Sequence, residues 1–303
     1  MPFASKIFLV RPARFGFNPE TAGSNAFQER TDLAPEDVSK RAREEFDGFA
    51  EELRSLGIET VIAKDPPEPH TPDAVFPNNW FSTHPDGTLV LYPMEAAARR
   101  LERVPSHVEI VREACGTETL IDLTSHEAEG RFLEGTGSLV IDHDTRTAYA
   151  CISSRTDPDL ARKWAEDTGH SLILFHAYGS DGKPVYHTNV LMCVGKGFAV
   201  LCGEAITDEE ELGAVTNALE SSGRELITIT QGQMEEFAGN LLQLENASGE
   251  PVLVMSSRAR AALTDDQLSA IERHTKIADL PIPMIEQCGG GSVRCMIAEL
   301  FTN

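Results

Sequence analysis

The sequence predicts an α/β fold in which five similar strand-helix units close radially, each delivering a turn to a shared centre. Three observations carry this expectation. Strand-like and helix-like stretches alternate along the chain. Five stretches share one pattern, a small or polar turn, then Asn or Ser, then a mostly apolar strand: "FPNNWFST", "EGTGSLVID", "VYHTNVLMCV", "FAGNLLQLE" and "GGGSVRCMI". Aligning Asn79, Ser138, Asn189, Asn240 and Ser292 gives separations of 59, 51, 51 and 52 residues, about one supersecondary unit.

In chain order, helices are expected at "SKRAREEFDGFAEELRSLG", "ARRLERVPSHVEIVREACG", "PDLARKWAEDTG", "DEEELGAVTNALESSG" and "LTDDQLSAIERHTK". Their apolar residues recur at three- and four-residue spacing, and a Gly often follows the last turn. Strands are expected at "SKIFLVRP", "IETVIA", "TAYACIS", "SLILFHA", "FAVLCG", "ELITIT" and "PVLVMS", which are short, apolar and rich in β-branched residues. "KDPPEPHTPD" reads as a loop. A doubly wound nucleotide-binding fold is the usual outcome of such alternation. Yet "GTGSLV" lacks the G-x-G-x-x-G spacing and is not expected to open a helix, and no phosphate-binding G-x-x-x-x-G-K-[ST] occurs.

Composition narrows the function. No linker or composition shift divides the chain, so residues 1–303 are expected to form one domain. The formal charge of -22, from 48 acidic and 26 basic residues spread along the chain, makes nucleic acid a poor partner. No apolar run is long enough to span a membrane. Six cysteines without a signal-peptide pattern point to reduced thiols and a cytoplasmic protein.

If the repeated turns meet, they bring together Asp73, Asn78 and Asn79, then Glu134, then His187 and Asn189, then Asn240, then Cys295. A thiol, an imidazole and a carboxylate on neighbouring turns suit covalent catalysis at an electrophilic carbon. Cysteine supplies the nucleophile as thiolate. Histidine protonates a leaving amine and later deprotonates water. Singly, each residue has a plainer explanation: a buried thiol, a hydrogen-bonded core histidine, an Asn in a turn. Their matching places in the repeat favour the catalytic one. Cys115, Cys151, Cys193, Cys202 and Cys288 are expected to be structural. No C-x-x-C, H-E-x-x-H or G-x-S-x-G pattern is present, so neither a metal, an organic cofactor nor a serine nucleophile is expected.

These motifs, with "RPARFGFNPETAGSNAFQ", "PDAVFPNNWFSTH", "FLEGTGSLVIDH", "CISSRT" and "PVYHTNVLM", resemble the guanidino-group-modifying enzymes. These are arginine deiminase, dimethylargininase, amidinotransferases and arginine dihydrolases. The likeness is nearest to bacterial citrulline-utilisation hydrolases and amidinotransferase-like proteins. It runs nearly end to end and implies the pentein fold, a five-bladed α/β propeller with its site in the central channel. It also implies Cys295 as nucleophile, His187 as general acid and base, and Glu134 as the carboxylate holding the urea or guanidine end. Arg155 would bind the substrate's α-carboxylate, Asp73 would lie on the substrate side, and Asn18 would match a further catalytic Asn. A homodimer is expected on the same ground.

Two positions depart from the deiminase pattern. Asn79 and Asn189 stand where deiminases carry aspartates. An amide both donates and accepts hydrogen bonds, whereas an ionised carboxylate only accepts. The pair therefore suits a neutral ureido group, and the expected reaction converts citrulline to ornithine, carbon dioxide and ammonia. Arginine deiminase or dihydrolase activity and amidino transfer are the alternatives. A noncatalytic role, as in a pentein-fold translation factor, fits poorly with the joint presence of Cys295, His187 and Glu134.

Overall fold

A computed structural model describes residues 3–302. The chain begins with β1 (Lys6–Arg11), whose centre is buried on both faces. It continues into α1 (Pro35–Ser55), which has Pro35 in its first turn, Glu36 and Asp37 beside its positive end, and Arg54 in its last turn. Val38, Ala42, Phe46, Phe49 and Leu53 form the buried stripe of α1 and pack with Ile7 and Leu9. β2 (Glu59–Lys64) returns parallel to β1, with Lys6 opposite Glu59.

The next unit has β3 (Phe81–Thr83), β4 (Thr88–Leu91), α2 (Ala97–Arg100), α3 (Pro105–Cys115) and β5 (Thr119–Asp122). The third has α4 (Gly135–Ser138), β6 (Val140–Asp142), β7 (Thr147–Cys151), α5 (Pro158–Thr168) and β8 (Ser171–Phe175). The fourth has α6 (Thr188–Leu191), β9 (Met192–Val194), β10 (Phe198–Leu201), α7 (Glu209–Ser221) and β11 (Glu225–Thr228). After α8 (Gln231–Glu235) come β12 (Leu242–Glu245), β13 (Pro251–Ser256), α9 (Ser257–Ala262), α10 (Asp265–Glu272) and β14 (Lys276–Leu280). The chain ends through α11 (Pro283–Gly289), α12 (Val293–Met296) and β15 (Ala298–Leu300).

The strands form five three-stranded sheets, β15-β1-β2, β3-β4-β5, β6-β7-β8, β9-β10-β11 and β12-β13-β14. In each, the inner strand pairs antiparallel with the middle one, and the outer strand returns parallel to it through a helical crossover. β15, from the C-terminal end, pairs with β1, Leu300 opposite Lys6, so the fifth blade joins both ends of the chain. This is the expected pentein arrangement of five α/β blades.

Local expectations hold with three corrections. The stretch "ARRLERVPSHVEIVREACG" forms two helices because Pro105 starts a new one. "GTGS" does make one helical turn before its strand. Cys295 sits in the matching turn α12, with the strand beginning three residues later at Ala298. Strands β4, β5 and β14 and helices α8, α9 and α11 went unseen in the pattern. Among the described residues no helix is long and apolar enough to cross a membrane.

Candidate active site

The turns before β3, β9 and β15 meet at one cavity, lined by Asp73, Asn79, Arg99, Arg155, His187 and Cys295 among others, while Glu134, Asn189 and Asn240 do not line it but touch residues that do. Cys295 Sγ accepts from two amides, Asn240 Nδ2 at 3.4 Å and Asn189 Nδ2 at 3.6 Å. Asn240 is itself fixed, since its Nδ2 also donates to the Asn189 carbonyl and its Oδ1 accepts from the Arg294 N–H. The glycine run before Cys295 is required by contact. A methyl group on Gly290 would lie 2.6 Å from Asn25 Nδ2, and that residue already has φ +62.

His187 caps α6, and its Nε2 lies 2.9 Å from Glu134 Oε2. That leaves Nδ1 as the ring nitrogen free to exchange a proton. Burial lowers the imidazole to about 4, overriding the hydrogen bond and charge of Glu134. The ring rests against Gly137, where an added methyl would overlap Asn79 Nδ2 and come within 2.7 Å of His187 Nδ1.

Glu134 is fully buried. Burial alone would raise its carboxyl. Arg155 at 3.4 Å, the His187 hydrogen bond and Arg99 instead hold it well below the usual carboxylate range. Its second oxygen accepts the Glu95 N–H at 3.0 Å. Asp73 shifts the other way. Burial raises its carboxyl above the ordinary value against Arg99 and Asn18, and its Oδ1 has no hydrogen-bond partner. Asn18 Nδ2 donates to Asp73 Oδ2 at 2.8 Å, so Asn18 orients Asp73 without lining the cavity. Two carboxyls pushed in opposite directions divide into a fixed anion and a group that can share a proton.

Some expected ligands are differently employed. Asn79 lines the cavity, but its Oδ1 accepts from Arg99 Nη1 at 2.7 Å and its Nδ2 reaches the Glu134 carbonyl at 3.4 Å. Asn78 is buried off the cavity wall with no partner for either side-chain atom. Arg155 lines the cavity and lies 4.9 Å over the Tyr186 ring. Its donors are spent on Glu134, Ser24 and the Thr21 carbonyl.

The sequence pattern did not reveal Arg99. It makes a bidentate pair with Glu102 at 2.9 and 3.0 Å, while Nη2 also reaches the Phe76 carbonyl. Burial raises the Glu102 carboxyl to about 7 despite that pair. Nor did the pattern assign Thr21 and Asn25, which follow Asn18 in the chain and line the cavity. Asn25 Nδ2 donates to the Gly289 and Gly290 carbonyls at 3.2 and 3.3 Å. The cavity offers about 20 Å³, room for about one water.

A thiol with amide donors and a neutral imidazole at one small cavity, with an ionised carboxylate bonded behind the imidazole, is a set of groups able to add to a planar carbon and move protons to its nitrogens. Comparison with known proteins shows the family. The family profile described as "N,N dimethylarginine dimethylhydrolase, eukaryotic" matches residues 11–302. No curated protein sequence matches the chain. Among solved structures, apo ArgZ, an arginine dihydrolase from the ornithine-ammonia cycle in Cyanobacteria, is 15% identical with a TM-score of 0.73. The alignment covers 98% of this chain but 41% of ArgZ, so this chain spans less than half of that protein. Unliganded AgrE is 17% identical, TM-score 0.74, with 98% and 39% coverage. A dimethylarginine dimethylaminohydrolase adduct with 4-chloro-2-hydroxymethylpyridine is 17% identical, TM-score 0.66, with 98% and 99% coverage. The chain thus belongs to the N,N-dimethylarginine dimethylhydrolase family, within the pentein superfamily of guanidino-group-modifying hydrolases.

Proposed function

We propose that this chain hydrolyses the ureido group of citrulline, giving ornithine, carbon dioxide and ammonia through a covalent adduct on Cys295. One observation carries the choice of a ureido substrate. The groups beside Cys295 Sγ are the neutral amides Asn189 and Asn240, each presenting N–H to the sulfur. Once sulfur has attacked, the former carbonyl oxygen lies next to it, where such donors stabilise the developing oxyanion. A carboxylate at Asn189 would repel that oxygen.

The Cys295 thiol gives its proton to neutral His187, whose imidazolium is held by ionised Glu134. The thiolate adds to the ureido carbon, and His187 returns the proton to the departing nitrogen as the C–N bond breaks. Water, deprotonated by His187, then cleaves the S-carbamoyl link. The carbamate so released loses carbon dioxide. One water is consumed in total. The cavity is far smaller than the roughly 300 Å³ of an ordinary ligand pocket. Substrate entry therefore needs lining side chains such as Thr21 and Asn25 to move, and release of Arg155 from Ser24 would let it meet an α-carboxylate.

A second reading is hydrolysis of arginine, with the same ureido chemistry as its second stage. The unpartnered Asp73 Oδ1 favours it, because that buried acceptor suits a guanidinium N–H. Purified protein incubated separately with citrulline and arginine, with ornithine, citrulline and ammonia quantified, decides between them. Ornithine and ammonia in equal amounts from citrulline support the proposal. Ornithine from arginine with two ammonia per turnover supports a dihydrolase. Citrulline accumulating from arginine overturns the ureido assignment.

A further inference from the structure

At the far ends of the inner strands the chain gathers a second set of functional side chains. His84 directly follows β3, His143 directly follows β6, and His170 directly precedes β8. One ring nitrogen from each lies within 4.8 Å of the others. The ring centroids are 5.7 Å apart for His84 and His143, 5.6 Å for His84 and His170, and 6.3 Å for His143 and His170. From this geometry we infer that His84, His143 and His170 form a binding site for a divalent transition-metal ion, zinc(II) by choice of ligand, that ties the β3 blade to the β6 blade.

Three imidazoles are a ligand set that zinc(II) accepts, with water in the fourth position and Zn–N distances of about 2.0–2.1 Å. Closing nitrogens that lie within 4.8 Å of one another onto a single ion takes side-chain rotation, which the half-buried His143 and His170 can supply. Outer contacts suit the role. His84 Nε2 lies 3.0 Å from Ser82 Oγ, which meets Tyr92 OH at 2.6 Å. This leaves Nδ1, a buried nitrogen without a partner, as the His84 ligand atom. His170 Nδ1 lies 2.9 Å from Thr168 Oγ1, leaving Nε2, and the ring stacks on Trp164 at 5.0 Å. Metal-bound histidines are oriented by such bonds on the other nitrogen.

Protons offer little competition. Burial lowers His84 to about 3, burial together with the neighbouring rings and Arg146 lowers His143, and burial with Arg146 lowers His170. Ligation needs the neutral ring of each. Arg146 opposes a cation here, and Asp86 favours one. The sequence expectation of no metal rested on short spacing motifs, and these ligands come from separate elements of two blades.

The test uses the full chain carrying Cys295→Ala, so that the reactive thiol contributes no metal site. After chelator treatment, the protein is titrated with cobalt(II) as a spectroscopic probe and then with zinc(II). We expect one equivalent bound, visible d–d bands without thiolate charge transfer, and a thermal midpoint raised by zinc(II). Adding His143→Ala and His170→Ala should weaken binding at least about a hundredfold and remove the thermal shift. In the Cys295 protein the same two substitutions should leave turnover unchanged, which shows that the fold survives. No binding by the folded Cys295→Ala chain, or binding unaffected by the two histidine substitutions, overturns the assignment.

Discussion

The two ends of the inner strands bury polar groups by opposite means. At the leading turns of β3 and β6, charge is matched by charge, Glu134 by Arg155 and Arg99 by Glu102, with hydrogen bonds from the neutral His187 to Glu134 and from Arg99 to the oxygen of Asn79. At the trailing ends of the same strands, His84 and His143 stay neutral through burial, and His84 Nδ1 has no partner at all. The difference teaches that the leading end fixes proton positions with fixed counter-charges. The trailing end holds lone pairs with no carboxylate bonded to them, and its nearby charges, Arg146 and Asp86, oppose one another.

Breaking the leading end should have the larger consequences. Glu134→Gln keeps the shape but removes the anion that holds an imidazolium at His187. Turnover should fall by about a hundredfold or more, in the range of lost acid-base assistance, with the fold intact by circular dichroism. A variant retaining full turnover would remove Glu134 from the mechanism.

Next in size is Arg99→Met. It strands Glu102 and the Asn79 oxygen in a buried site, and loss of one partner of a buried pair costs about 3–5 kcal/mol. Denaturant titration should show that loss. The double variant Arg99→Met with Glu102→Leu should recover part of it, because no charge is then left unpaired.

Acidification sharpens the comparison. A histidine lowered from 6.5 to about 4 binds its proton more readily in the unfolded chain, so stability is lost as pH falls from about 6.5 toward 4. For His187 that loss is about 3 kcal/mol. Glu134, lowered instead of raised, keeps its contribution until pH falls through its own lower value. Melting midpoints should therefore drop between pH 6.5 and 4, and His187→Gln should flatten part of the slope. The acid limb of kcat/KM should lie near 4, since the free enzyme needs a neutral His187.

Much of this was legible in the sequence because the repeat carries it. Glu134 and His187 each directly precede the helical turn of their unit and Cys295 lies inside the matching turn of the last, so the repeat itself brings the three near one another. The turns came through as well, although Cys295 lies in a helical turn and not at a strand start. Arg99 was invisible because a charged residue in a helix normally faces water, and only the meeting of α2 with the Asp73 to Asn79 segment buries it. Asn79 and Asn189 were read as substrate amides. The folded chain spends Asn79 on Arg99 and turns Asn189 toward the sulfur, partnerships that no local pattern encodes. The three histidines escaped for the same reason, since their proximity is a property of the blade order.

The covalent role of Cys295 is the centre of this account, and ornithine release from citrulline by the unaltered chain and by Cys295→Ala tests it most directly. The account predicts steady ornithine formation by the first and none above the uncatalysed background by a folded Cys295→Ala protein. Turnover persisting in Cys295→Ala would contradict it.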